Sequence, residues 1–286
     1  MTAQSLGGRE VAARLRADAA ATAATMTAGG ITPRLAVVVA TRDESAAWYV
    51  RTLSTAAARL GIEADVRELS PDASAAEIWA VLAALSADEA VHGAVLQAPV
   101  PPGLALAELA SAIGPGKDVD GANPLSLGRV LAGLPAFAPA TAQAVLELLD
   151  YHNVELDGRR AVVVGRSLVV GKPVSLLLLA RNATVTVCHS HTADLADVTR
   201  SADVLVVAAG RPGLITAAHV KPGAVVVDVG TNAAADGSLI GDVEAASVAG
   251  VAAGLSPVPG GVGPVTTARL LLNAVTAAAT SGANPG

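Results

Sequence analysis

A glycine-containing turn between an apolar strand and a helix is the clearest candidate binding element in the sequence. Residues 161–164 predict a buried strand, Gly165-Arg166-Ser167 the turn, and a helix begins near residue 172. Backbone N–H groups at such a turn bind pyrophosphate, and glycine allows close approach. The spacing departs from G-x-G-x-x-G, because Ser167 stands at the second glycine position and Gly171 comes one residue late. A purely structural turn therefore remains an alternative.

The end of the next predicted strand bears on which dinucleotide would bind. An NAD site places an acidic residue about 20 residues further on, where it binds the ribose 2′-hydroxyl. Here strand 183–188 ends in His189-Ser190 instead. A carboxylate would repel a 2′-phosphate, whereas Arg166, Ser190 and His189 could bind one. The sequence therefore favours NADP, the alternative being a solvated Arg166 and His189 as an ordinary loop residue.

Composition narrows the class of protein. The chain has 286 residues, 52% of them hydrophobic and only 2% aromatic, with a formal net charge of −6. The negative charge and scarce rings argue against a nucleic-acid partner. Cys188 is the only cysteine, which excludes an intrachain disulfide. Without an apolar run of about 18 residues or a secretory signal, the chain is expected to be soluble and cytoplasmic, with no membrane partner.

Alternating strand and helix patterns predict an α/β fold built on parallel sheets. In such sheets ligands bind beyond the carboxyl ends of the strands, where Asp43 and Gln97 fall. The predicted strands cover residues 34–40, 62–69, 91–97, 160–164, 183–188, 203–208, 223–229 and 249–254. The predicted helices cover residues 8–28, 45–60, 73–86, 104–113, 141–150, 173–181, 192–200, 214–219 and 265–279.

Several motifs, taken in order, resemble those of the bifunctional methylenetetrahydrofolate dehydrogenase/methenyltetrahydrofolate cyclohydrolase family. The resemblance extends from about residue 5 to about residue 280. The motifs are Val95-Leu96-Gln97 before a proline-rich turn, Lys117-Asp118-Val119-Asp120-Gly121, Gly165-Arg166-Ser167 with Val170-Gly171-Lys172-Pro173, Asp228-Val229-Gly230, Gly241-Asp242-Val243, and Pro257–Pro264 before Val265-Thr266.

The resemblance implies two α/β lobes flanking a cleft. Residues 1–138 would form the folate-binding lobe, completed by a C-terminal helix over 265–286, and residues 139–264 the NADP-binding Rossmann lobe. It also implies a homodimer that takes a tetrahydrofolate derivative as substrate. No metal site is expected, because His152, His189 and His191 show no metal-binding spacing backed by other ligands. In the family, hydride passes from 5,10-methylenetetrahydrofolate to NADP, and water then opens the 5,10-methenyl cation to 10-formyltetrahydrofolate.

Site residues carry over from the family by position. The catalytic set is Tyr49, Gln97 and Asp120, whose carboxylate would accept hydrogen bonds from the pterin. The same three, with Gly261 and Pro264, would bind substrate. The cofactor-binding set is Gly165, Arg166, Ser167, Ser190 and Thr231, which replaces a common isoleucine.

The largest departure from the family is Leu53, which stands where a lysine is expected four residues after Tyr49. Hydride transfer needs chiefly alignment of the reacting groups. Water attack needs proton movement, for which general acid–base help is worth about 10²–10⁴-fold, and leucine cannot ionise. We therefore expect an NADP-dependent dehydrogenase whose cyclohydrolase activity is weak or lost.

Two other interpretations fit the same residues. A remodelled folate pocket could serve another small substrate in a pathway-dedicated NADP oxidoreductase, and weak folate binding would favour this. A non-catalytic partner subunit is the third, although such a subunit would have no physical need for Arg166 and Ser167.

Overall fold

A computed structural model describes residues 2–234 and 237–281. Within them the α-helices are α1 (Arg9–Ala28), α2 (Glu44–Arg59), α3 (Ala75–Ala87), α4 (Leu106–Ala110), α5 (Pro124–Leu131), α6 (Ala140–Tyr151), α7 (Gly171–Ala180), α8 (Leu195–Thr199), α9 (Ala245–Val248) and α10 (Val262–Ser281). The strands are β1 (Gln4–Ser5), β2 (Arg34–Val39), β3 (Glu63–Glu68), β4 (Gly93–Gln97), β5 (Arg160–Val164), β6 (Thr184–Cys188), β7 (Val204–Val207), β8 (Val225–Asp228), β9 (Asn232–Ala233), β10 (Leu239–Ile240) and β11 (Gly254–Leu255).

The chain divides into two compact units, each built on a parallel sheet. The six-stranded unit contains the described residues up to Ala13 and those from Thr141 to Thr266. The three-stranded unit contains residues 14–140 and the described residues from Thr267 onward. The first residues belong to the six-stranded unit because β1 pairs in parallel with β11.

The three-stranded unit has the strand order β3-β2-β4, and both faces of its sheet are covered. Side chains of successive strand residues point to opposite faces. Leu35 and Val37 join one apolar cluster with residues of α2 and α10, whereas Ala36 and Val38 join another with residues of α3. This double burial explains why β2 is an uninterrupted apolar run after Arg34 rather than an alternating one.

The six-stranded unit has the order β1-β11-β8-β7-β5-β6, with every neighbouring pair parallel. From β5 the chain moves outward to β6 and then returns to the other side of β5 as β7. The strand order therefore reverses between β5 and β7. In open α/β sheets, ligands bind outside the carboxyl ends of the strands at such a reversal. The glycine turn at residue 165 follows β5 directly.

The α/β architecture predicted from the sequence is confirmed, with local differences. The expected helix at 214–219 is only a 3₁₀ turn at Ala217–His219, because Ile215 forms a bridge with Val243 instead. The strand expected at 249–254 is reduced to β11. Ala249 instead donates to the Ala245 carbonyl and closes a helical turn.

Further elements differ from the prediction. No helix was predicted at α5, although Asn123 caps it and Pro124 occupies its first turn, a usual start signal. The short elements β1, β9, β10 and α9, of two to four residues each, were not predicted either. The last helix begins at Val262, with Pro264 in its first turn, and its predicted extension over 282–286 lies outside the described residues.

Candidate active site

Tyr49 lies on α2, which begins just after β2. The carboxylate of Asp43 caps this helix by accepting from the Ala46 backbone N–H at 2.8 Å. Tyr49 is half-buried beside the apolar cluster, and its side chain hydrogen-bonds with Thr267 of α10. Burial, and then the charge of Asp120, raise the pKa of Tyr49, while the bond to Thr267 opposes the rise. The hydroxyl is therefore held in its protonated form.

Leu53 lies one helical turn beyond Tyr49, at the place where the family resemblance expects a lysine. Its side chain is 0% exposed. It belongs to the buried face of α2, which it shares with Val50 and Ala57, and to the cluster that contains Leu270 and Leu271. A stripe at this spacing is typical of a core-facing helix side. No ionisable group occupies this position.

Gln97 is the last residue of β4, at the carboxyl edge of the three-stranded sheet. It is half-buried, pairs in register with Val39 of β2, and donates through Nε2 to the Ala98 carbonyl at 2.8 Å. Asp43 follows β2 at the same edge, but its carboxylate caps α2. Bonds from Ser45 and Ala46 lower its pKa. The edge therefore presents an amide from β4, while the carboxylate after β2 is occupied in capping.

Asp120 is held in a tight turn by its neighbours. Asp118 is fully buried and accepts from the backbone N–H groups of Ala122 and Asn123, each at 3.0 Å. From α10, Asn273 donates to the Val119 carbonyl at 2.9 Å. Gly121 closes the turn with φ +64°, and a Cβ there would overlap the backbone of residues 137–139. The backbone on both sides of the half-buried Asp120 is thus held in place by hydrogen bonds.

The ionisation of Asp120 is strongly perturbed. Burial, and then the nearby Asp118, raise its pKa from 3.8 to about 7, although the Ala140 backbone N–H opposes the rise. Acid–base groups in functional sites often have such values near neutrality. Asp120 can therefore change its protonation state near neutral pH.

In the six-stranded unit, the turn after β5 is shaped to approach a ligand closely. Gly165 has φ +133°, and a Cβ there would overlap the carbonyl of Ala208. Ser167 accepts through its hydroxyl from the Val170 and Gly171 backbone N–H groups, at 3.2 and 3.3 Å. The hydroxyl thus organises the turn that leads into α7. This glycine cradle fits a dinucleotide pyrophosphate.

The groups expected to bind a 2′-phosphate lie beyond this turn. Arg166 and Ser190 are exposed, and His189 is half-buried. Partial desolvation, then the charges of Arg166 and His191, lower the pKa of His189, which shows that the arginine lies near the end of β6. Thr231 is exposed and follows β8 by three residues. Arginine and serine therefore present donors at the carboxyl edge.

Gly261 and Pro264, predicted to contact substrate, lie at the start of α10. Gly261 is buried and donates to the Pro257 carbonyl at 2.8 Å, and Pro264 is half-buried. The Gly8 backbone N–H donates to the Gly260 carbonyl at 2.8 Å. This packing holds the proline-rich loop within the six-stranded unit.

The comparisons with known proteins agree with this geometry. Residues 6–120 match the domain described as tetrahydrofolate dehydrogenase/cyclohydrolase, catalytic domain, and residues 139–282 match the NAD(P)-binding domain of the same family. The chain belongs to the tetrahydrofolate dehydrogenase/cyclohydrolase family. Bifunctional protein FolD 1 of Saccharopolyspora erythraea is 61% identical over 278 residues, which cover 97% of this chain and 95% of that protein.

Solved structures of the family superimpose closely on the chain. The bifunctional FolD methylenetetrahydrofolate dehydrogenase/cyclohydrolase of Campylobacter jejuni is 36% identical with a TM-score of 0.93, covering 96% of this chain and 98% of that one. The Trypanosoma brucei enzyme, complexed with NADP and an inhibitor, is also 36% identical with a TM-score of 0.93 and covers 99% and 100%. The two-domain α/β architecture of the family is therefore that of this chain.

The predicted site residues fall into two groups. Tyr49, Gln97 and Asp120 belong to the three-stranded unit, and Asp120 is close enough to Tyr49 for its charge to raise the pKa of the tyrosine. The others belong to the six-stranded unit and are Gly165, Arg166, Ser167, Ser190, Thr231, Gly261 and Pro264. Among the described residues, no cluster of three or more His, Cys, Asp or Glu side chains could hold a metal ion, and no helix is long and apolar enough to cross a membrane.

Sequence reasoning missed residues that support the site rather than line it. Asp118 reads as a solvated turn residue, yet it is fully buried. Asn273 and Thr267 lie on an apolar helix, and only the fold places them beside Val119 and Tyr49. The Asn123-Pro124 pair was the one available signal, since it marks the helix start after the Asp120 turn.

We predict that Gly121→Ala will lower the free energy of unfolding by about 2 kcal/mol or more, because a side chain is strained at this φ and its Cβ would overlap backbone atoms. Urea unfolding measures the change. Gly128→Ala is the matched control, since Gly128 lies in α5 with open space around its Cβ position, and it should raise stability by up to about 1 kcal/mol. Equal effects of the two substitutions would contradict the assignment.

We also predict a pH signature of Asp120. Its raised pKa means that the folded chain binds a proton more tightly than the unfolded chain, so this group's contribution to stability declines as pH rises from about 4 to about 7. Asp120→Asn lacks this pH-dependent contribution. Its free energy of unfolding, relative to that of wild type, should therefore rise by roughly 1–3 kcal/mol from about pH 5 to about pH 8. Urea unfolding at both pH values tests this, with exposed Asp72→Asn as control. A constant difference would refute it.

Proposed function

We propose that this chain is an NADP-dependent 5,10-methylenetetrahydrofolate dehydrogenase in which methenyltetrahydrofolate cyclohydrolase activity is weak or lost. The observation that carries the proposal is a contrast between the two units. On the cofactor side, the glycine turn lies at the carboxyl end of β5, and Arg166 and Ser190 present exposed donors near it. On the folate side, a fully buried Leu53 stands where a lysine is expected, beside an ordered Tyr49.

In this proposal the three-stranded unit binds the folate. Asp120 accepts hydrogen bonds from the amino and ring N–H groups of the pterin, and the backbone bonds around Asp118 keep it in place. Gln97 offers an amide at the sheet edge, and Tyr49 presents a protonated hydroxyl to the bound substrate. Gly261 and Pro264 complete the substrate-binding set. These groups bind and orient, which is what hydride transfer chiefly requires.

The six-stranded unit binds NADP, which supplies the hydride acceptor when bound. Gly165 lets the pyrophosphate approach the backbone, and Ser167 keeps the turn in shape. Arg166 and Ser190 hold the 2′-phosphate through charge-assisted hydrogen bonds. Thr231 contacts the cofactor from the loop after β8.

The second step of the family chemistry lacks the lysine that the family resemblance places at position 53. Water attack on the methenyl carbon releases a proton, and a group that accepts or relays it accelerates the step. Leu53 can do neither, because its side chain is apolar and packs in an apolar cluster. Tyr49 cannot compensate as a base, because its raised pKa keeps the hydroxyl protonated.

The proposal extends to assembly, location and domain boundaries. The family resemblance implies a homodimer, and β6, an outer strand of its sheet, leaves Val187 38% exposed, as an interface edge would. Sedimentation equilibrium showing only the 28.1 kDa monomer would exclude the dimer.

The single cysteine suits the reducing cytoplasm. The folate-binding lobe is proposed to cover residues 1–138 with 265–286, and the NADP-binding lobe residues 139–264.

The direct test follows NADPH, the methenyl species and 10-formyltetrahydrofolate together during oxidation of 5,10-methylenetetrahydrofolate. We expect NADPH to form while the methenyl species accumulates, because the enzyme catalyses only the first step well. Enzymatic conversion of added methenyltetrahydrofolate well above the uncatalysed rate would refute the loss of the second activity. Absence of NADPH formation would refute the dehydrogenase assignment itself.

Leu53→Lys tests the same assignment in the opposite direction, by restoring the expected lysine. It restores an ionisable group one turn from Tyr49 and should raise methenyltetrahydrofolate hydrolysis by about tenfold or more, within the usual range for acid–base catalysis. Leu53→Met is the matched control, because it keeps the position apolar and should leave hydrolysis unchanged. A lysine variant that folds, oxidises substrate and hydrolyses no faster would contradict the role given to this position.

Cofactor selectivity provides a separate prediction. Arg166→Ala should lower the ratio of kcat/KM for NADP to that for NAD by about tenfold or more, because a charged hydrogen bond to the 2′-phosphate is lost. The comparison of the two cofactors under initial-rate conditions measures it. Arg181→Ala is the control, since Arg181 is exposed at the other end of α7 and pairs with Asp150. An unchanged ratio in Arg166→Ala would exclude the assignment.

A further inference from the structure

Asp242 is a fully buried residue whose carboxylate accepts hydrogen bonds from the backbone of the loop after β7. Its Oδ2 accepts from the Ala209 and Gly210 N–H groups at 2.6 and 2.8 Å, and its Oδ1 accepts from the Arg211 N–H at 2.8 Å. Three successive backbone donors thus converge on one side chain. A carboxylate can accept all three because both oxygens are acceptors.

A fourth donor reaches the same group from another loop. The Asn232 side chain donates through Nδ2 to Oδ1 of Asp242 at 2.9 Å. An amide at position 242 would turn an NH₂ group toward at least one of these donors, whichever way it was flipped. The site therefore requires a carboxylate in particular, and not merely a polar side chain of this size.

Asp228 locks Asp242 in place. Through Oδ1, Asp228 accepts from the backbone N–H groups of Gly230 and Asp242 at 2.9 and 3.0 Å, and through Oδ2 from that of Val243 at 2.9 Å. The packing leaves no room for a Cβ at Gly241, which would overlap the Asp228 carboxylate. The loops after β7 and β8 are consequently joined through two buried carboxylates.

These loops border the place where the strand order reverses. Ala208 donates to the Val164 carbonyl at 2.8 Å, and its own carbonyl lies against Gly165, so the loop after β7 directly contacts the glycine turn. Arg166 and Ser190 lie toward β6, on the other side of β5. A dinucleotide whose 2′-phosphate is bound there extends its other half across β5 toward β7 and β8.

We propose that Asp242 is the positioning residue for the nicotinamide half of NADP. It acts through the backbone of residues 209–211 and through Asn232, and does not touch the cofactor itself. The inference rests on the proposed function in one respect, namely that NADP binds at the glycine turn. It adds that one half of the cofactor depends on Asp242 and the other half does not.

The test compares two ligands on one substitution. Asp242→Asn should weaken binding of NADPH by about tenfold or more, because the wall facing the nicotinamide half loses its order. Binding of adenosine 2′,5′-bisphosphate, which contains only the adenine half, should change less than about twofold. Titration of intrinsic fluorescence or calorimetry on the full-length protein gives both affinities.

Asp203→Asn is the matched control. Asp203 is also a carboxylate of the six-stranded unit and accepts from the Arg160 backbone N–H at 3.0 Å, but it lies at the opposite, amino edge of the sheet. The same substitution there should leave both affinities unchanged. A parallel loss of both ligands in Asp242→Asn, or an unchanged NADPH affinity in the folded variant, would overturn the proposal.

A milder variant serves if Asp242→Asn does not fold. Asn232→Ala removes one donor and leaves the three backbone bonds, so NADPH binding should weaken by about threefold with the bisphosphate unaffected. Unchanged NADPH affinity in this variant would then overturn the inference. The proposed function fails separately, if wild-type protein binds neither ligand.

Discussion

The site loops of this protein depend on hydrogen bonds that backbone N–H groups donate to buried carboxylates. Asp118 supports the turn that contains Asp120, and Asp228 and Asp242 join the loops after β7 and β8. Burying a charge is costly unless it is hydrogen-bonded on all sides. Each of these groups meets that condition with backbone donors, which cannot move away as side chains can. These hydrogen bonds therefore order the loops without additional apolar packing.

The parts of the fold that sequence predicts best are those encoded by neighbouring residues. The valine runs of β2, β5, β7 and β8 predict buried strands because β-branched residues pack well on a doubly covered sheet. The Gly165 turn is recognisable because strand, turn and helix follow one another within about ten residues. Local patterns therefore predict the strand, turn and helix around Gly165.

What sequence could not provide are contacts between distant segments. The bond from Asn273 to Val119 spans 154 positions, and that from Asp242 to Ala209 spans 33. Composition even misleads at Asp118, where a charged residue in a polar turn is ordinarily solvated. Such positions become interpretable only when the fold shows which backbone donors surround them. The same holds for Thr267, whose neighbour Tyr49 lies on another helix.

Cofactor binding and proton transfer differ in how strongly each depends on a particular side chain. In the proposed function, cofactor binding relies on backbone geometry and a few exposed donors, with which Thr231 in place of a common isoleucine is compatible. In the proposed function, proton transfer to or from the attacking water relies on an ionisable group, which Leu53 cannot supply. The apolar stripe of α2 absorbs that leucine at no cost to packing, since Val50 and Ala57 already face the same cluster. Under the proposed function, a core-compatible residue at this position would thus separate two successive reactions, the second of which uses the product of the first.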